Sequence, residues 1–480
     1  MLLWFVVLYL LFSVGIGIYA SSRVHNSRDF VVAGRNLPLP VVTATVFATW
    51  FGAETVLGIS ATFVQEGLGG VIADPFGASL CLIFAGLFFA PLLYRMNLLT
   101  IGDYYRTRYN RRVELVMSVC IMLSYLGWVS AQVVALGLVF NVVSDGALTP
   151  QVGMILGIAV VLAYTLIGGM WSVALLDFVQ MTIIMVALLL IAALIGERAG
   201  GVGNVVLQAQ AAGKLQLFPD GSGMEAWIPF IGAALTMMLG SIPQQDVFQR
   251  MTSAKSEKIA MRGTVGGGVL YFAFAFIPMF LAFAATLIDP QFFGELIGRD
   301  SQMVLPSLIL NHTPLFMQIL FFGALLSAIM STASSTLLAP SVMFTENILK
   351  HFAFGDMSDQ QMLRTMRIIL LTFGVLVLWF ALNSESSIFH MVENAYKVTL
   401  VGAFVPLVFG LYWKRANNQG ALLSIVLGLG SWLLLEWLTP DTYWPPQLVG
   451  LLMSVAGMLL GSSLPDLNGT ANAAQRRSAG

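Results

Sequence analysis

Two features of the sequence have the chemistry to bind a small cation. Between Ser331 and Thr336, five of six residues carry hydroxyl groups. On a helix Ser331, Ser334 and Ser335 share one face, because residues three and four positions apart are neighbours. Oxygen ligands gathered there suit a hard cation such as sodium. Asp177 lies within an apolar stretch, where an ionisable residue is costly unless it is paired or coordinates an ion, so the two features together indicate a cation site.

The hydroxyl cluster also has a purely structural interpretation. Small hydroxyl residues let membrane helices approach one another closely, and their side chains often bond to the carbonyl group four residues earlier. Residue type alone leaves both interpretations open. Asp177 favours the cation site, because a carboxylate in hydrocarbon needs a cation.

The composition shows which elements must position these residues. Of 480 residues, 58% are hydrophobic and 10% are charged, whereas soluble proteins have about a quarter charged residues. Hydrocarbon satisfies no backbone polar group, so apolar stretches of about 20 residues must be membrane helices. We therefore predict an all-α integral membrane protein with about thirteen transmembrane helices, near residues 2–21, 41–65, 72–96, 114–144, 150–169, 173–196, 226–248, 264–288, 303–348, 365–383, 387–412, 419–437 and 446–464.

The basic residues predict the orientation of the chain. With the N-terminus outside, nineteen lysines and arginines fall in the inner joints and the tail, and only three in the outer joints. Such asymmetry is typical of cytoplasmic loops, so we expect an outside N-terminus and a cytoplasmic C-terminus in the cell's inner (plasma) membrane. The first helix has no basic segment and no small-residue cleavage site, which favours a retained helix over a signal peptide. Residues 465–480 are polar and predicted to form a short disordered cytoplasmic tail.

Two of the predicted spans contain helix breaks. One lies at Phe51-Gly52-Ala53-Glu54 and the other at Gly240-Ser241-Ile242-Pro243, five spans later. Glycine and proline are common in membrane helices, but breaks at matching positions are typical of transporters built from inverted repeats. We therefore predict one transporter domain, residues 1–464, with inverted five-helix repeats at about 41–196 and 226–412, one additional N-terminal helix and two C-terminal helices.

Several segments resemble the sodium/solute symporter family, in order and across nearly the whole chain. The most specific is GLYWKRANNQGALLSIVLGLG, from Gly410 to Gly430, which is similar to the family's C-terminal signature of a basic residue, four intervening positions and Gly-Ala. FATWFGAETVLG, GGMWSVALLDFVQ, GSIPQQDVFQR and LLSAIMSTASSTLLAPSVMF also resemble family segments. The closest likeness is to the high-affinity choline transporter branch. The resemblance implies an inverted-repeat, LeuT-type fold.

The resemblance also implies two sodium sites. The site shared across the family would use three backbone carbonyls and two hydroxyls, and all five residue types are present: Ala48, Phe51, Ala328, Ser331 and Thr332. A second site, found in only some members, would use Asp177, Ser331, Ser334 and Ser335. We therefore expect Na+ as the coupling ion, with two ions per solute, and no organic cofactor.

In the choline branch an aromatic box would hold a quaternary ammonium by cation–π attraction. Trp50 and Trp128 match two of its walls, whereas Ala78 and Gln244 stand in place of the other two. This departure puts choline itself in doubt and favours a related ligand of different shape.

Two charged residues bear on the charge of the solute. Glu54, after the first break, could pair with a cationic solute, carry a proton or serve as a structural partner. Lys397 could pair with Glu393 four residues earlier, contact an anionic solute, or pair with Glu54 across helices. A zwitterion would reconcile the two charges. The candidate solute-binding residues are Trp50, Gly52, Glu54, Trp128, Gln244 and Lys397.

These features predict sodium-coupled symport of a small organic solute into the cell by alternating access. The solute would be a zwitterion or cation, such as an amino acid, betaine or choline-like amine. The alternatives are a solute sensor that kept the symporter fold, and uptake of a small carboxylate. The sequence has no Walker loop and no nucleophile–His–Asp arrangement, so we expect no enzyme. The expected partners are the solute, sodium and the lipid bilayer, without nucleic acid or an obligate protein partner.

Overall fold

The structure is a computed structural model that describes residues 2–354, 357–384, 386–438 and 443–464. Within these ranges every regular element is a helix, apart from an isolated backbone bridge between Leu37 and Ala254. The helices of the bundle are α1 (Leu2–Ser21), α2 (Leu39–Trp50), α3 (Glu54–Glu66), α4 (Gly69–Arg95), α5 (Arg111–Val143), α6 (Pro150–Arg198), α7 (Met224–Gly240), α8 (Gln245–Thr252), α9 (Glu257–Ile288), α10 (Leu315–Lys350), α11 (Asp359–Leu382), α12 (Ile388–Tyr412), α13 (Asn418–Leu438) and α14 (Pro446–Ser463). Shorter helices lie in the joints: Ser27–Val32, Ile101–Arg108, Val202–Ala211, Pro290–Asp300 and Val304–His312. The predicted all-α membrane class is confirmed.

Both predicted helix breaks are present. α2 and α3 meet at an angle of 53°, and α7 and α8 meet at 46°. At the first break Phe51 leaves helical geometry, with φ −85° and ψ 71°. At the second break Pro243 lies between the two halves, where it has no amide hydrogen to donate. Each break leaves backbone groups without their helical partners, and other groups must satisfy them.

The number of spans depends on how α6 is counted. Ten single helices are long and apolar enough to cross a membrane, and each of the two bent pairs adds one candidate. For the predicted spans 150–169 and 173–196 the structure has α6, in which two helices meet at a kink with non-helical backbone at Gly169 (φ 49°, ψ −138°). The kink lies next to the predicted joint, and the count of thirteen is not confirmed.

Gly169 is a position where we expect a side chain to destabilise the protein. Its φ of +49° favours glycine, and an added Cβ would lie 2.5 Å from Phe30 Cδ2 and 2.6 Å from the Phe30 carbonyl oxygen. Gly169→Ala should therefore cost about 1–3 kcal/mol of stability and lower the unfolding temperature in detergent. The matched control is Gly203→Ala, where a Cβ meets no atom within 4 Å. Equal melting temperatures for the two variants would contradict this prediction.

The helix α10 lies at the centre of the bundle. Its residues from Ala324 to Met343 are all buried, and it packs against α2, α5 and α6. Peripheral helices instead expose large apolar side chains: Trp4 in α1 is 72% exposed and Trp437 in α13 is 80% exposed. Such surfaces are expected where hydrocarbon rather than water surrounds a bundle. The hydroxyl cluster of α10 is therefore enclosed by protein, away from lipid.

One basic residue that the orientation argument placed in an inner joint lies inside the bundle. Arg250 belongs to α8 and is only 1% exposed. The polar segment around it resembles a joint in sequence, but it forms the second half of a broken helix whose eight residues are all buried. The predicted tail, residues 465–480, lies outside the described residues.

Candidate functional site

A carboxylate and two hydroxyl groups meet where α2, α6 and α10 pack together. Asp177 of α6 is fully buried, and its Oδ1 accepts a 2.5 Å hydrogen bond from Ser331 Oγ of α10. Its Oδ2 accepts a hydrogen bond from the hydroxyl of Thr45 in α2. The structure therefore brings Asp177 and the hydroxyl face of α10 into direct contact, although they are 154 residues apart in sequence.

The carbonyl group of Ala48 adds another oxygen at this point. Because α2 ends at Trp50, this carbonyl lies in the last turn, where helical acceptors lose their partners. It accepts a hydrogen bond from Thr332 Oγ1 at 3.3 Å and lies 3.0 Å from Ser331 Oγ, whose single proton has Ala48 and Asp177 as alternative acceptors. Three of the five ligands predicted for the shared site are thus in contact. Phe51 and Ala328 are both buried, and their part in the site stays a prediction.

This donor set fits a sodium ion. The carboxylate of Asp177 has no lysine, arginine or histidine nitrogen within 4 Å among the described residues, so no direct ion pair neutralises its charge and a bound cation would stabilise it. The hydroxyls around it can turn their lone pairs towards an ion, because a hydroxyl both donates and accepts. Carbonyl, hydroxyl and carboxylate oxygens are the ligands that hard cations prefer.

The other two serines of the predicted second site have different partners. Ser334 Oγ donates to the Ser331 carbonyl within α10, at 3.0 Å. Ser335 Oγ lies 3.3 Å from Thr49 Oγ1 of α2, which donates to the Thr45 carbonyl at 2.6 Å. Ser335 therefore lies against α2, the helix that Asp177 also contacts. Ser334 instead bonds within its own helix, as the purely structural interpretation of the hydroxyl cluster expects. Their role as ligands stays a prediction.

Three residues next to this site were missed in the sequence analysis. Thr45 and Thr49 are four positions apart, so they lie on one face of α2, and this spacing was a signal that could have been used. Arg250 had no such signal, because polar neighbours surround it in sequence. Its Nε donates to Thr49 Oγ1 at 2.9 Å.

Three aromatic rings form a cluster beside the first break. The ring centroids of Trp50 and Trp128 are 5.5 Å apart, and Tyr396 of α12 lies 5.7 Å from Trp50 and 5.4 Å from Trp128. We call Trp50, Trp128 and Tyr396 the aromatic cage. Its rings pack on one another, with Trp50 and Tyr396 stacked at an interplanar angle of 10°, so a cation would bind at an outer face or separate the rings. Tyr396 was missed because it follows no break and its segment resembles an ordinary amphipathic helix. Its hydroxyl is buried without a hydrogen-bond partner among the described residues.

Glu54 lies against this cage. The carboxylate is 2% exposed and accepts hydrogen bonds from Trp128 Nε1 at 3.1 Å and from Gln132 Nε2 at 2.6 Å. A Cβ on Gly52 would lie 2.6 Å from both Glu54 Oε2 and Thr332 Oγ1. Only glycine leaves room at this position. Gly52 therefore allows the Glu54 carboxylate of the candidate solute site to lie close to the Thr332 hydroxyl of the candidate sodium site.

Gln244 lies at the second break rather than in the aromatic cage itself. Its Nε2 donates to Ser124 Oγ at 2.9 Å and to Thr399 Oγ1 at 3.4 Å. Next to it, Asp246 accepts a hydrogen bond from the hydroxyl of Tyr125, whose ring stacks on Trp128 at 6.1 Å. Polar groups of the second break therefore connect to the cage through Tyr125. Ala78 is buried in α4.

The pairings considered for Lys397 are not found. Glu393 pairs with His390 Nδ1 at 3.5 Å, and no ion pair within 4 Å joins it to Lys397 in the described part of the chain. Glu54 has Trp128 and Gln132 as partners instead of Lys397. Lys397 is only partly buried and interacts electrostatically with Glu393 without a direct ion pair. Its part in the solute site stays a prediction.

Acidic side chains outnumber basic ones around the cage and the cation site. Glu54, Asp74, Asp177 and Asp246 are all buried, whereas Arg250 is the only buried lysine or arginine among the described residues. Asp74 accepts a hydrogen bond from Tyr271, whose hydroxyl also bonds to Thr55 at 3.0 Å. Because uncompensated buried charge is costly, this buried acidic region favours positively charged ligands.

Comparison with known proteins gives a consistent result. Residues 30–428 match the model of the sodium:solute symporter family. The human "High affinity choline transporter 1" is 29% identical over 451 residues, covering 88% of this chain and 74% of the relative. The "Osmoregulated proline transporter OpuE" of Bacillus subtilis is 27% identical over 449 residues, covering 88% of this chain and 86% of the relative.

Solved structures resemble the whole fold. A sodium-coupled sialic acid symporter in a substrate-bound, outward-open state superposes with a TM-score of 0.84, at 20% identity, over 97% of each chain. At this identity the likeness establishes the fold and carries no information about the solute. It does support the reading of the two bent pairs as parts of a LeuT-type architecture.

Proposed function

The chain belongs to the sodium:solute symporter family, and on that premise we propose that its solute is a small organic cation, or a zwitterion with a cationic nitrogen. The protein is a multi-pass, sodium-coupled symporter of a small solute and not an enzyme. The observation that carries the proposal is the aromatic cage beside the buried carboxylate of Glu54. Aromatic faces attract cations, most strongly in desolvated sites.

Two of the similar proteins support a cationic nitrogen. The choline and proline transporters named above have a cation and a zwitterion as their named solutes, whereas the sialic acid symporter is similar in fold alone. Gln244 and its neighbours Ser124 and Thr399 add hydrogen-bonding groups near the cage. We propose that they orient a polar group of the solute, which would distinguish it from a simple tetraalkylammonium ion.

A carboxylate without an amine is the weaker candidate. Lys397 is partly exposed, and the charge of Arg250 already acts on the carboxylates of Asp177 and Asp246. An anionic solute would therefore lie among buried acids. Repulsion between like charges opposes such binding.

We propose two sodium ions per solute. The first would be held by Ala48, Phe51, Ala328, Ser331 and Thr332, and the second by Asp177, Ser331, Ser334 and Ser335. The contacts of Ser331 with both Asp177 and the Ala48 carbonyl support adjacent sites that share one ligand. A sodium ion at the first site would bind both α10 and the end of α2 and draw the two helices together. Gly52, which follows α2, would transmit this movement to Glu54 in the solute site.

The topology is also a proposal. Two inverted repeats, about 41–196 and 226–412, are supported by bent pairs at matching positions. An outside N-terminus and a cytoplasmic C-terminus are supported by the distribution of basic residues, even with Arg250 removed from the count. Rocking of the repeats around the midplane site would give alternating access.

The first experiment is thermal stabilisation of the purified protein by a solute panel. Quaternary amines, betaines, amino acids and carboxylates would each be tested in sodium and in potassium, since a ligand that binds the folded state raises its melting temperature. We expect stabilisation by a solute with a cationic nitrogen, in sodium only. Stabilisation by carboxylates alone would overturn the proposed solute class.

Asp177 provides a test of the second sodium ion. Asp177→Asn keeps the size of the side chain and removes the charge, so we expect the sodium Hill coefficient of uptake to fall from about two towards about one. Asp289→Asn is the matched control, because Asp289 only caps a helix in an outer joint. If Asp177→Asn keeps the sigmoidal sodium dependence of the parent, the second ion is not bound at Asp177.

A further inference from the structure

Arg250 is an unusual charge in this bundle. It is the only lysine or arginine that is buried among the described residues, with 1% of its surface exposed. Isolating a charge from water costs several kcal/mol unless other groups compensate it. The position of its compensating groups therefore indicates what Arg250 does.

The guanidinium group lies between the second sodium site and the second helix break. Nε donates to Thr49 Oγ1 at 2.9 Å, and the same Thr49 oxygen lies 3.3 Å from Ser335 Oγ. Nη1 donates to the Asp246 carbonyl at 3.3 Å. Arg250 also interacts electrostatically with the carboxylates of Asp177 and Asp246, yet neither forms an ion pair with it within 4 Å in the described part of the chain.

Two polar atoms remain without partners at this place. Arg250 Nη2 and Asp246 Oδ2 are both buried and make no hydrogen bond among the described residues. A buried donor and a buried acceptor without partners are each unfavourable. A small movement of the guanidinium group towards the Asp246 carboxylate would satisfy both atoms, and it would take the charge away from Asp177.

We infer that Arg250 is a tethered cation that balances Asp177 while the second sodium site is empty, and that sodium displaces it towards Asp246. The inference rests on the proposed second sodium site. A sodium ion at Asp177 repels the guanidinium group, because both are positive and share a desolvated region. Arg250 therefore competes with sodium and sets the concentration at which the second ion binds.

The displacement would also connect sodium to the solute. The other oxygen of Asp246 accepts from the Tyr125 hydroxyl, and the Tyr125 ring stacks on Trp128 of the aromatic cage. An arginine arriving at Asp246 changes the charge that faces this end of the cage. Arg250 is thus a positioning residue, which acts on the solute through Asp246 and Tyr125 rather than by contact.

A purely structural arginine makes a different prediction. In that case Arg250 would hold α8 against α2 through Thr49, and its removal would lower stability equally in sodium and in potassium. A competing cation instead affects sodium binding itself, and only while Asp177 is charged. The two roles can be separated by measuring sodium binding in the absence of solute.

The experiment measures the sodium concentration that gives half-maximal thermal stabilisation, in purified protein without solute. Arg250→Gln should lower this concentration by about tenfold, because sodium no longer displaces a competing charge. Arg250→Lys retains the charge and should stay within about threefold of the parent. The matched control is Arg95→Gln, since Arg95 pairs with Glu257 at the surface, 2.7 Å away, and should leave the sodium concentration unchanged.

Asp177→Asn and the double variant Asp177→Asn/Arg250→Gln separate the possible failures. If Asp177→Asn leaves sodium binding unchanged, the second sodium site is wrong. If Asp177→Asn weakens sodium binding but Arg250→Gln has no effect, only the role of Arg250 is overturned. If Arg250→Gln does not fold alone, we expect the double variant to fold, since it removes both charges of the pair. A double variant that also fails to fold would contradict the inference.

Discussion

Replacing Ser331 by alanine is expected to reduce sodium-driven uptake more than any other single change in α10. The hydroxyl of Ser331 contacts both the Asp177 carboxylate and the Ala48 carbonyl, so its loss removes one ligand from each proposed sodium site. A hydrogen bond to a charged group contributes about 1.5–3 kcal/mol, and each 1.4 kcal/mol corresponds to about tenfold in affinity. We therefore expect sodium affinity to fall by about tenfold or more, with a larger loss of uptake.

Ser341→Ala is the matched control for this change. Ser341 is a buried serine in the same helix, but its hydroxyl donates only to the Leu337 carbonyl, at 2.7 Å. Its replacement should leave sodium affinity within about twofold of the parent and test the general effect of losing a buried hydroxyl. Sodium-dependent thermal shifts and uptake should be measured for both variants. Equal sodium affinities in the two would show that the assignment of the ion sites is wrong.

The second large effect is expected at Glu54. In Glu54→Gln the charge is lost, and one acceptor oxygen becomes an NH2 group that faces a donor, either Trp128 Nε1 or Gln132 Nε2. Gln132 cannot reverse its amide without losing the bond from the Ala53 amide to its Oε1, at 3.0 Å. We expect a loss of about ten- to a hundredfold in affinity for a cationic solute, corresponding to ~1.4–2.7 kcal/mol.

A neutral analogue makes the Glu54 prediction specific. Choline and its uncharged carbon isostere have nearly the same shape, so the donor–donor contact in Glu54→Gln should weaken both alike, and the loss of charge should weaken only the charged ligand further. Glu114→Gln is the control, because Glu114 is also buried but bonds to Asn347, at 2.9 Å, away from the cage. If both ligands lose affinity equally, Glu54 supports the structure of the cage and does not select the charge of the solute.

The local sequence was sufficient to predict the face of α10 that carries the serine hydroxyls and the buried acid, Asp177. Ser331, Ser334 and Ser335 follow helical spacing, and Asp177 is an ionisable residue in an apolar stretch. Both signals are read within about ten residues, because helical geometry fixes which neighbours share a face. The two breaks were readable for the same reason, since glycine and proline act on the backbone locally.

Contacts between distant helices were not predictable in this way. Thr45 and Asp177 meet although 132 residues separate them, and Tyr396 joins Trp50 from a different helix. The pairing of Glu393 with His390 rather than Lys397 shows that sequence spacing permits several partners. The choice among them depends on side-chain direction and packing, which spacing does not specify.

Arg250 is the clearest case of a residue whose role depended on the fold. In the sequence Arg250 lies in a polar segment and was assigned to a cytoplasmic joint. The break at Pro243 changes the direction of the chain, so that this segment enters the bundle and Arg250 is buried there. The sequence by itself determined the membrane class, the breaks and the family, because composition, backbone chemistry and motifs are local properties. Only the tertiary structure decided which oxygens converge and where the buried positive charge lies, because these follow from the packing of helices that are far apart in the chain.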